Sequence, residues 1–337
     1  MLGFAISGLA VYLLLQQVNI DALLPALAAA QPLFILVVVV SVLASLVTRA
    51  ARWQVFFLPD LKVPFPPLLE TLSISYMAST FLPLRAGELV RAVFLGQRAS
   101  ISVPRVVGTI LIEKLFDFLA VGVLIVLFVP RAPQLPDAVR AAALSVAGVI
   151  VIGFGSVMML AVFREPSLRV IGIFESLLPA PARRWLPLQR AARQFAEGTD
   201  SLRYPRLWGP LLGWTAVTWI LSLASVAGGI AALGVSPTAE QVLLVSILTS
   251  AGQAVPSSPG YVGVYHLASK TALTTLGVDP TTAVAIALVT HAFSYGSLVI
   301  AGLVALWTGG YTFGDVLSGV NRKGAAPKPA VALAPER

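Results

Sequence analysis

The chain has 337 residues, of which 57% are hydrophobic and 11% charged, with a mean hydropathy of +0.88. Soluble domains carry about 25% charged residues, so this much apolar surface needs lipid to cover it, and the net charge of +8 reads as topology-setting Lys and Arg, not as a nucleic-acid footprint. With no Cys and only two His, a disulfide framework, a thiolate or His-rich metal site, a Cys nucleophile and an HExxH centre are all excluded.

A span needs about 20 apolar residues at roughly 1.5 Å each. Runs at 1–16, 32–48, 104–129, 138–163, 207–232 and 280–307 meet this, some as short or tilted helices. The first run lacks a basic leader and a small-residue cleavage site, so it is kept as a span. The stretches 64–100 and 236–276 differ. Each has Pro and Gly at its middle, in Leu82-Pro83-Leu84-Arg85-Ala86-Gly87-Glu88 and in Val255-Pro256-Ser257-Ser258-Pro259-Gly260. A helix should stop and restart there. Broken backbone at membrane depth is tolerated only inside protein or beside a water-filled cavity. The expected fold is therefore an all-α membrane protein, a single polytopic domain over 1–318. It would have about six full transmembrane helices plus two inverted re-entrant helical hairpins.

The basic residues fit this topology. With the N-terminus inside, one inside segment holds Arg49, Arg52 and Lys62, and the next holds Arg85, Arg91, Arg98 and Arg105. Eight Arg follow between Arg164 and Arg206, and four basic residues lie from Arg322 to Arg337. Nineteen of the 23 Lys and Arg are then on one side, which predicts both termini inside.

The hairpins also resemble each other. At an offset of 173, Pro64, Ser73, Ala78, Pro83 and Gly87 meet Pro237, Ser246, Ala251, Pro256 and Gly260, and a three-residue slip brings Pro104 onto Pro280. Three spans separate the hairpins, so the second enters from the opposite side. That is an inverted repeat, with the substrate site where the broken helices meet. The segment 164–206 alternates Arg with apolar residues. It reads either as an amphipathic helix on an anionic leaflet or as a plain topology anchor. The tail 319–337 has a disordered composition.

Ionisable residues at membrane depth are costly and usually mark a pathway. The first hairpin has Arg85, Glu88 and Arg91 around its break, and the next span has Glu113, Lys114 and Asp117. Glu113 and Asp117 are i and i+4, on one helix face. Glu113 lies some 14 Å past Pro104, near the middle of the core. Arg85 and Arg91 are the natural partners, and two Arg beside one Glu leave positive charge for an anion, which a guanidinium fork grips well. The plainer alternative is that these charges only lock the hairpin to the span.

In the second hairpin, backbone N–H groups around Ser257, Ser258 and Gly260 open a new helix, a ready anion site. Tyr261, Tyr265 and His266 follow. His266, His291 and Glu70 are weaker candidates than the charged cluster. No nucleophile elbow, P-loop or GxGxxG is present, so neither catalysis nor a cofactor is expected.

Four elements carry a family resemblance: Arg49-Ala50-Ala51-Arg52-Trp53; Pro83-Leu84-Arg85-Ala86-Gly87-Glu88-Leu89-Val90-Arg91; Glu113-Lys114-Leu115-Phe116-Asp117; and Pro256-Ser257-Ser258-Pro259-Gly260-Tyr261-Val262-Gly263. In this order and spacing, over about residues 30–310, the chain resembles the transmembrane domain of lysylphosphatidylglycerol synthase and its stand-alone, flippase-like relatives. Lys114 stands where those proteins usually have Arg, and Ala78-Ser79-Thr80 where they carry an Asn. The resemblance implies movement of a phospholipid or polyprenyl-linked lipid between leaflets. The partners are then membrane lipids with an anionic headgroup or phosphate, in a bacterial cytoplasmic (inner) membrane. The bifunctional members carry an aminoacyl-transferase domain after the membrane part, so aminoacylation is not implied here. The competing reading is an accessory subunit of a membrane glycosyltransferase or lipid-modifying enzyme, docked through 164–206. A third, weaker reading is a transporter of small polar solutes.

Overall fold

A computed structural model describes residues 2–15, 18–82, 86–133, 137–177, 179, 199–255, 257–312, 314–315 and 331–332. Twelve α-helices make up almost all of it: α1 (Leu2–Leu15), α2 (Ile20–Ala28), α3 (Pro32–Phe57), α4 (Phe65–Phe81), α5 (Ala86–Ala99), α6 (Val103–Phe128), α7 (Asp137–Val162), α8 (Arg164–Leu177), α9 (Pro205–Ala232), α10 (Ala239–Ala254), α11 (Val264–Thr275) and α12 (Pro280–Gly309). A short antiparallel pair joins Leu61 and Lys62 to Ala332 and Val331. The rest of the tail predicted to lack order, 319–330 and 333–337, lies outside the described residues, as does 180–198 of the basic segment.

The chain is an all-α membrane protein. Among the described residues, four helices are long and apolar enough to cross a bilayer: α3, the 140–159 part of α7, α9 and α12. The bent pair α1–α2, whose axes meet at 91°, makes a fifth if it counts as one span. Six spans were expected, and the difference has a physical source. Helix α6 is 26 residues long, ample for a crossing, but Glu113, Lys114 and Asp117 interrupt its apolar run.

Exposure follows the lipid requirement. Helix α3 turns Leu36, Val40, Leu43 and Val47 outward and buries Thr48, Arg52 and Trp53. Ile152 of α7 is 70% exposed, a waste in water but a gain in hydrocarbon. The main core joins α3, α5, α6 and α9 through Trp53, Phe56, Leu95, Ile112, Phe116 and Leu211.

The breaks fall where Pro and Gly predict them, between Phe81 and Ala86 and between Ala254 and Val264. A Cβ on Gly87 would stand 2.1 Å from Ser79 Oγ and 2.3 Å from the Ser75 carbonyl oxygen. Only glycine lets α5 lie this close to α4, and Ser75 Oγ seals the contact by donating to the Gly87 carbonyl at 2.8 Å. In the second break Gly260 has φ +66° and lies against Thr80, the end of α4, so the two broken helical pairs meet tip to tip.

Helix pairings repeat in the same order in the two halves of the chain. Helix α3 begins at Pro32 and α9 at Pro205, 173 residues apart, and the two pack along each other. The contacts α4–α5, α5–α6 and α3–α4 have counterparts in α10–α11, α11–α12 and α9–α10. The contact of α4 with α12 is matched by that of α10 with α6.

Candidate functional site

Three helices assemble the charged cluster. Arg49 and Arg52 sit one turn apart on α3, facing Glu113 and Asp117, one turn apart on α6. Arg52 NH1 is 2.9 Å from Asp117 Oδ1 and donates to Thr215 Oγ1 at 3.2 Å, while its NH2 is 3.8 Å from Glu113 Oε1. Arg49 NH1 meets Asp117 Oδ2 at 3.2 Å. From α5, Arg91 NH2 donates to Glu113 Oε2 at 2.6 Å, and its guanidinium carbon lies 3.6 Å from the Trp53 ring centroid. Trp53 is held by its own donation to Thr109 Oγ1 at 2.9 Å. Lys114 Nζ is 2.9 Å from Glu88 Oε1.

Arg52 and Glu113 are fully buried. Charges in such a setting persist only when paired and hydrogen-bonded. Among the described residues, four cations (Arg49, Arg52, Arg91, Lys114) face three carboxylates (Glu88, Glu113, Asp117), one more positive than negative charge. Arg52 Nε, Arg52 NH2 and Arg91 Nε reach no hydrogen-bond acceptor among the described residues, and Glu113 Oε1 and Asp117 Oδ1 reach no hydrogen-bond donor there, so the cluster is held by charge pairing more than by complete hydrogen bonding.

It opens on a cavity of about 310 Å³. Arg49, Glu88, Arg91, Lys114 and Asp117 form one wall. The facing wall comes from the second half of the chain and carries no charge: Trp219, Ser222, Ser246, Thr249, Ser250, Gln253, Tyr261, Tyr265, Ser294 and Tyr295. Such a volume is at the lower end for small-molecule sites. It suits a compact polar headgroup and excludes a pair of acyl chains.

Of the residues singled out from sequence, Glu88, Arg91, Lys114, Asp117, Tyr261 and Tyr265 come together on this cavity. Arg52 and Glu113 stand directly behind them as ion-pair partners. Arg85 lies outside the described residues. Ser257, Ser258 and Gly260 do not line the cavity. The Ser258 backbone N–H donates to Ser7 Oγ at 2.9 Å, and Ser257 packs against Gly3 of α1. The Gly260 carbonyl meets His291 Nε2 at 2.8 Å. His266 is buried against His291, ring centroids 4.5 Å apart, and its Nδ1 accepts from the Gly263 N–H at 3.3 Å. Glu70 pairs with Arg98 away from the cavity.

The site reading of the sequence missed Arg49 and, apart from Tyr261 and Tyr265, the whole uncharged wall. Arg49 had a signal, its place one turn before Arg52. Trp219 had only its position on α9, the counterpart of α3.

An apolar helical bundle with charges buried at its centre defines the class: this is an integral membrane protein with an internal polar site. Within that class the chain belongs to the family described as the lysylphosphatidylglycerol synthase TM region, whose family model matches residues 1–302. Membership fits a lipid-related role in the membrane. No curated protein and no solved structure gives a significant match.

Proposed function

We propose that the protein moves a phospholipid or polyprenyl-linked lipid between the leaflets of a bacterial inner membrane, holding the headgroup in the central cavity while the acyl chains stay in the bilayer. The observation that carries this is the cation-rich ionic wall on a headgroup-sized cavity, buried in an otherwise apolar bundle. A lipid phosphate supplies negative charge to offset the excess of cations, and its oxygens accept from guanidinium donors. Arg49, Arg91 and Lys114 hold the phosphate, and Glu88, Glu113 and Asp117 keep the empty cavity from carrying four bare cations.

In this reading α1, α3, α6, α7, α9 and α12 span the bilayer, and α4–α5 and α10–α11 are re-entrant hairpins entering from opposite sides. Both termini lie inside, in line with 19 of the 23 basic residues. The matching helix contacts in the two halves of the chain are what an inverted repeat produces. Rocking of one repeat against the other around a fixed site then gives alternating access. The protein acts as a transporter, with no chemistry on the lipid.

The test is lipid translocation by purified protein in proteoliposomes, read as the dithionite-accessible fraction of a fluorescent phosphatidylglycerol. The proposal expects accessibility to pass from about half of the label, the outer leaflet, towards all of it. A fraction that stays at half, with co-purification of a lipid-modifying enzyme, would move the protein to the accessory-subunit reading.

A further inference from the structure

The second break contains two glycines in the left-handed region, Gly260 at φ +66° and Gly263 at φ +88°, and each is held by one imidazole. His291 Nε2 lies 2.8 Å from the Gly260 carbonyl, which only accepts, so that nitrogen carries a proton. His266 Nδ1 accepts from the Gly263 N–H at 3.3 Å, so that nitrogen carries none and the ring is neutral. The pair is therefore asymmetric. A further proton on His266 Nδ1 would have to displace the Gly263 N–H, whereas His291 Nδ1 meets no partner among the described residues. Tyr295 stacks on His291 with centroids 4.2 Å apart, a ring face that favours a cation. The two imidazole centroids are 4.5 Å apart, so two charges there would repel.

The titratable groups touching the rings are tyrosines: Tyr265 and Tyr295, with Tyr261 against Tyr295. Helix α4 brings Tyr76 to the adjoining cavity, and α3, α5 and α6 bring Arg49, Glu88, Arg91, Lys114 and Asp117 to its far wall. Lys270, one turn along α11 from His266, is turned to the Leu14 carbonyl. Asp21, Arg206 and Glu240 lie in the first turns of α2, α9 and α10, and Tyr12 of α1 is exposed. None of these makes an ion pair or hydrogen bond with either imidazole.

We infer that the imidazole pair is a site for a single proton, taken by His291 Nδ1, and that its occupancy sets how firmly the second tip is held. The added charge makes the bond to the Gly260 carbonyl a charge-assisted one, roughly twice as strong as a neutral bond. Gly260 is the residue that lies against Thr80 at the end of α4. The hold on the tip therefore strengthens as pH falls and relaxes as the proton leaves. Because rocking of the repeats parts the two tips, the proton gates translocation. That consequence rests on the proposed function; the proton site does not.

The chain has only two His, so NMR of the full-length protein carrying 15N-histidine, purified without a histidine tag, reads each ring, with His266→Gln or His291→Gln assigning the signals. Between about pH 8 and pH 5, the range in which histidine ordinarily titrates, His291 Nδ1 should gain a proton while His266 Nδ1 stays bare. Val262, 48% exposed beside the clamp, reports on the tip. The maleimide labelling rate of V262C, divided by that of the same protein unfolded at the same pH, should fall at least about threefold over this range, as a neutral bond becomes a charged one. The ratio should stay level when H291Q is added. Both rings remaining neutral, His266 titrating first, or a V262C ratio that does not change with pH overturns the inference. Phosphatidylglycerol translocation in proteoliposomes should change by at least about threefold over the same range in wild type and stay flat in H291Q. Translocation in wild type that ignores pH overturns the gating. No translocation at any pH, with the imidazole and V262C results as expected, overturns the proposed function and leaves the proton site standing.

Discussion

Arg91 and Trp53 are stacked, with the guanidinium carbon 3.6 Å from the indole centroid, while the same guanidinium donates to Glu113 at 2.6 Å. The ring fixes the plane of the fork and the carboxylate fixes its direction. Arg91 is therefore held at the cavity edge by two unlike contacts. Removing Glu113 leaves Arg52 and Arg91 buried without their shared partner. Glu113→Gln should cost about 3–5 kcal/mol of stability, the usual penalty for orphaning a buried charge. Arg91→Met combined with Glu113→Leu should cost less than the sum of the two single changes. Equilibrium unfolding in mixed micelles measures both, and additivity of the two would show that the pair is not coupled.

Gly87 tests the close approach of α4 and α5. Gly87→Ala places a methyl 2.1 Å from Ser79 Oγ, so one helix must shift. Overpacking of this kind costs about 1–3 kcal/mol. Heating followed by size-exclusion chromatography should show a lower midpoint for G87A, and a midpoint equal to wild type would mean the two helices are not in contact at Gly87.

The chain has no cysteine, so single-cysteine variants report topology without background. Ser176→Cys lies at the end of α8 and Thr275→Cys at the end of α11, both exposed. With opposed hairpins and the basic segment inside, a membrane-impermeant maleimide should label T275C in spheroplasts, and S176C only after permeabilisation. Labelling of both from the same side would exclude the inverted arrangement.

Helix α1 is strapped to the second broken pair by two polar contacts: Ser7 Oγ accepts from the Ser258 N–H, and Lys270 Nζ donates to the Leu14 carbonyl at 2.9 Å. Lys270 thereby caps the C-terminal end of α1, where a cation is favourable. Ser7→Ala together with Lys270→Met should loosen α1 and speed proteolysis within the first 15 residues by about tenfold, read by N-terminal sequencing of fragments. An unchanged cleavage rate would mean that apolar packing alone holds α1.

Much of this is legible in the sequence itself. Local signals carried it: Pro and Gly placed both helix breaks, and i, i+4 spacing put Glu113 and Asp117 on one face. What spacing cannot name is the partner across space. The sequence paired the carboxylates with Arg85 and Arg91 of the adjacent hairpin, whereas α3, more than 60 positions away, brings Arg49 and Arg52 to Asp117. The second break offered free N–H groups by sequence, but Ser7, 251 positions away, takes the one on Ser258. The uncharged wall left no charge signal at all, so Trp219 emerged only when α9 was seen to pack along α3.

The central claim is that the ionic wall works on lipid and does not merely hold helices together. Arg49 separates these roles, because Asp117 keeps Arg52 at 2.9 Å when Arg49 is removed, so Arg49→Gln should leave the fold intact. The deciding measurement is the rate of phosphatidylglycerol translocation in proteoliposomes for wild type and R49Q, matched for protein density and for thermal midpoint. A fall of at least about tenfold is expected, roughly what losing one charged hydrogen bond to the phosphate costs. Equal rates in the two would contradict the account.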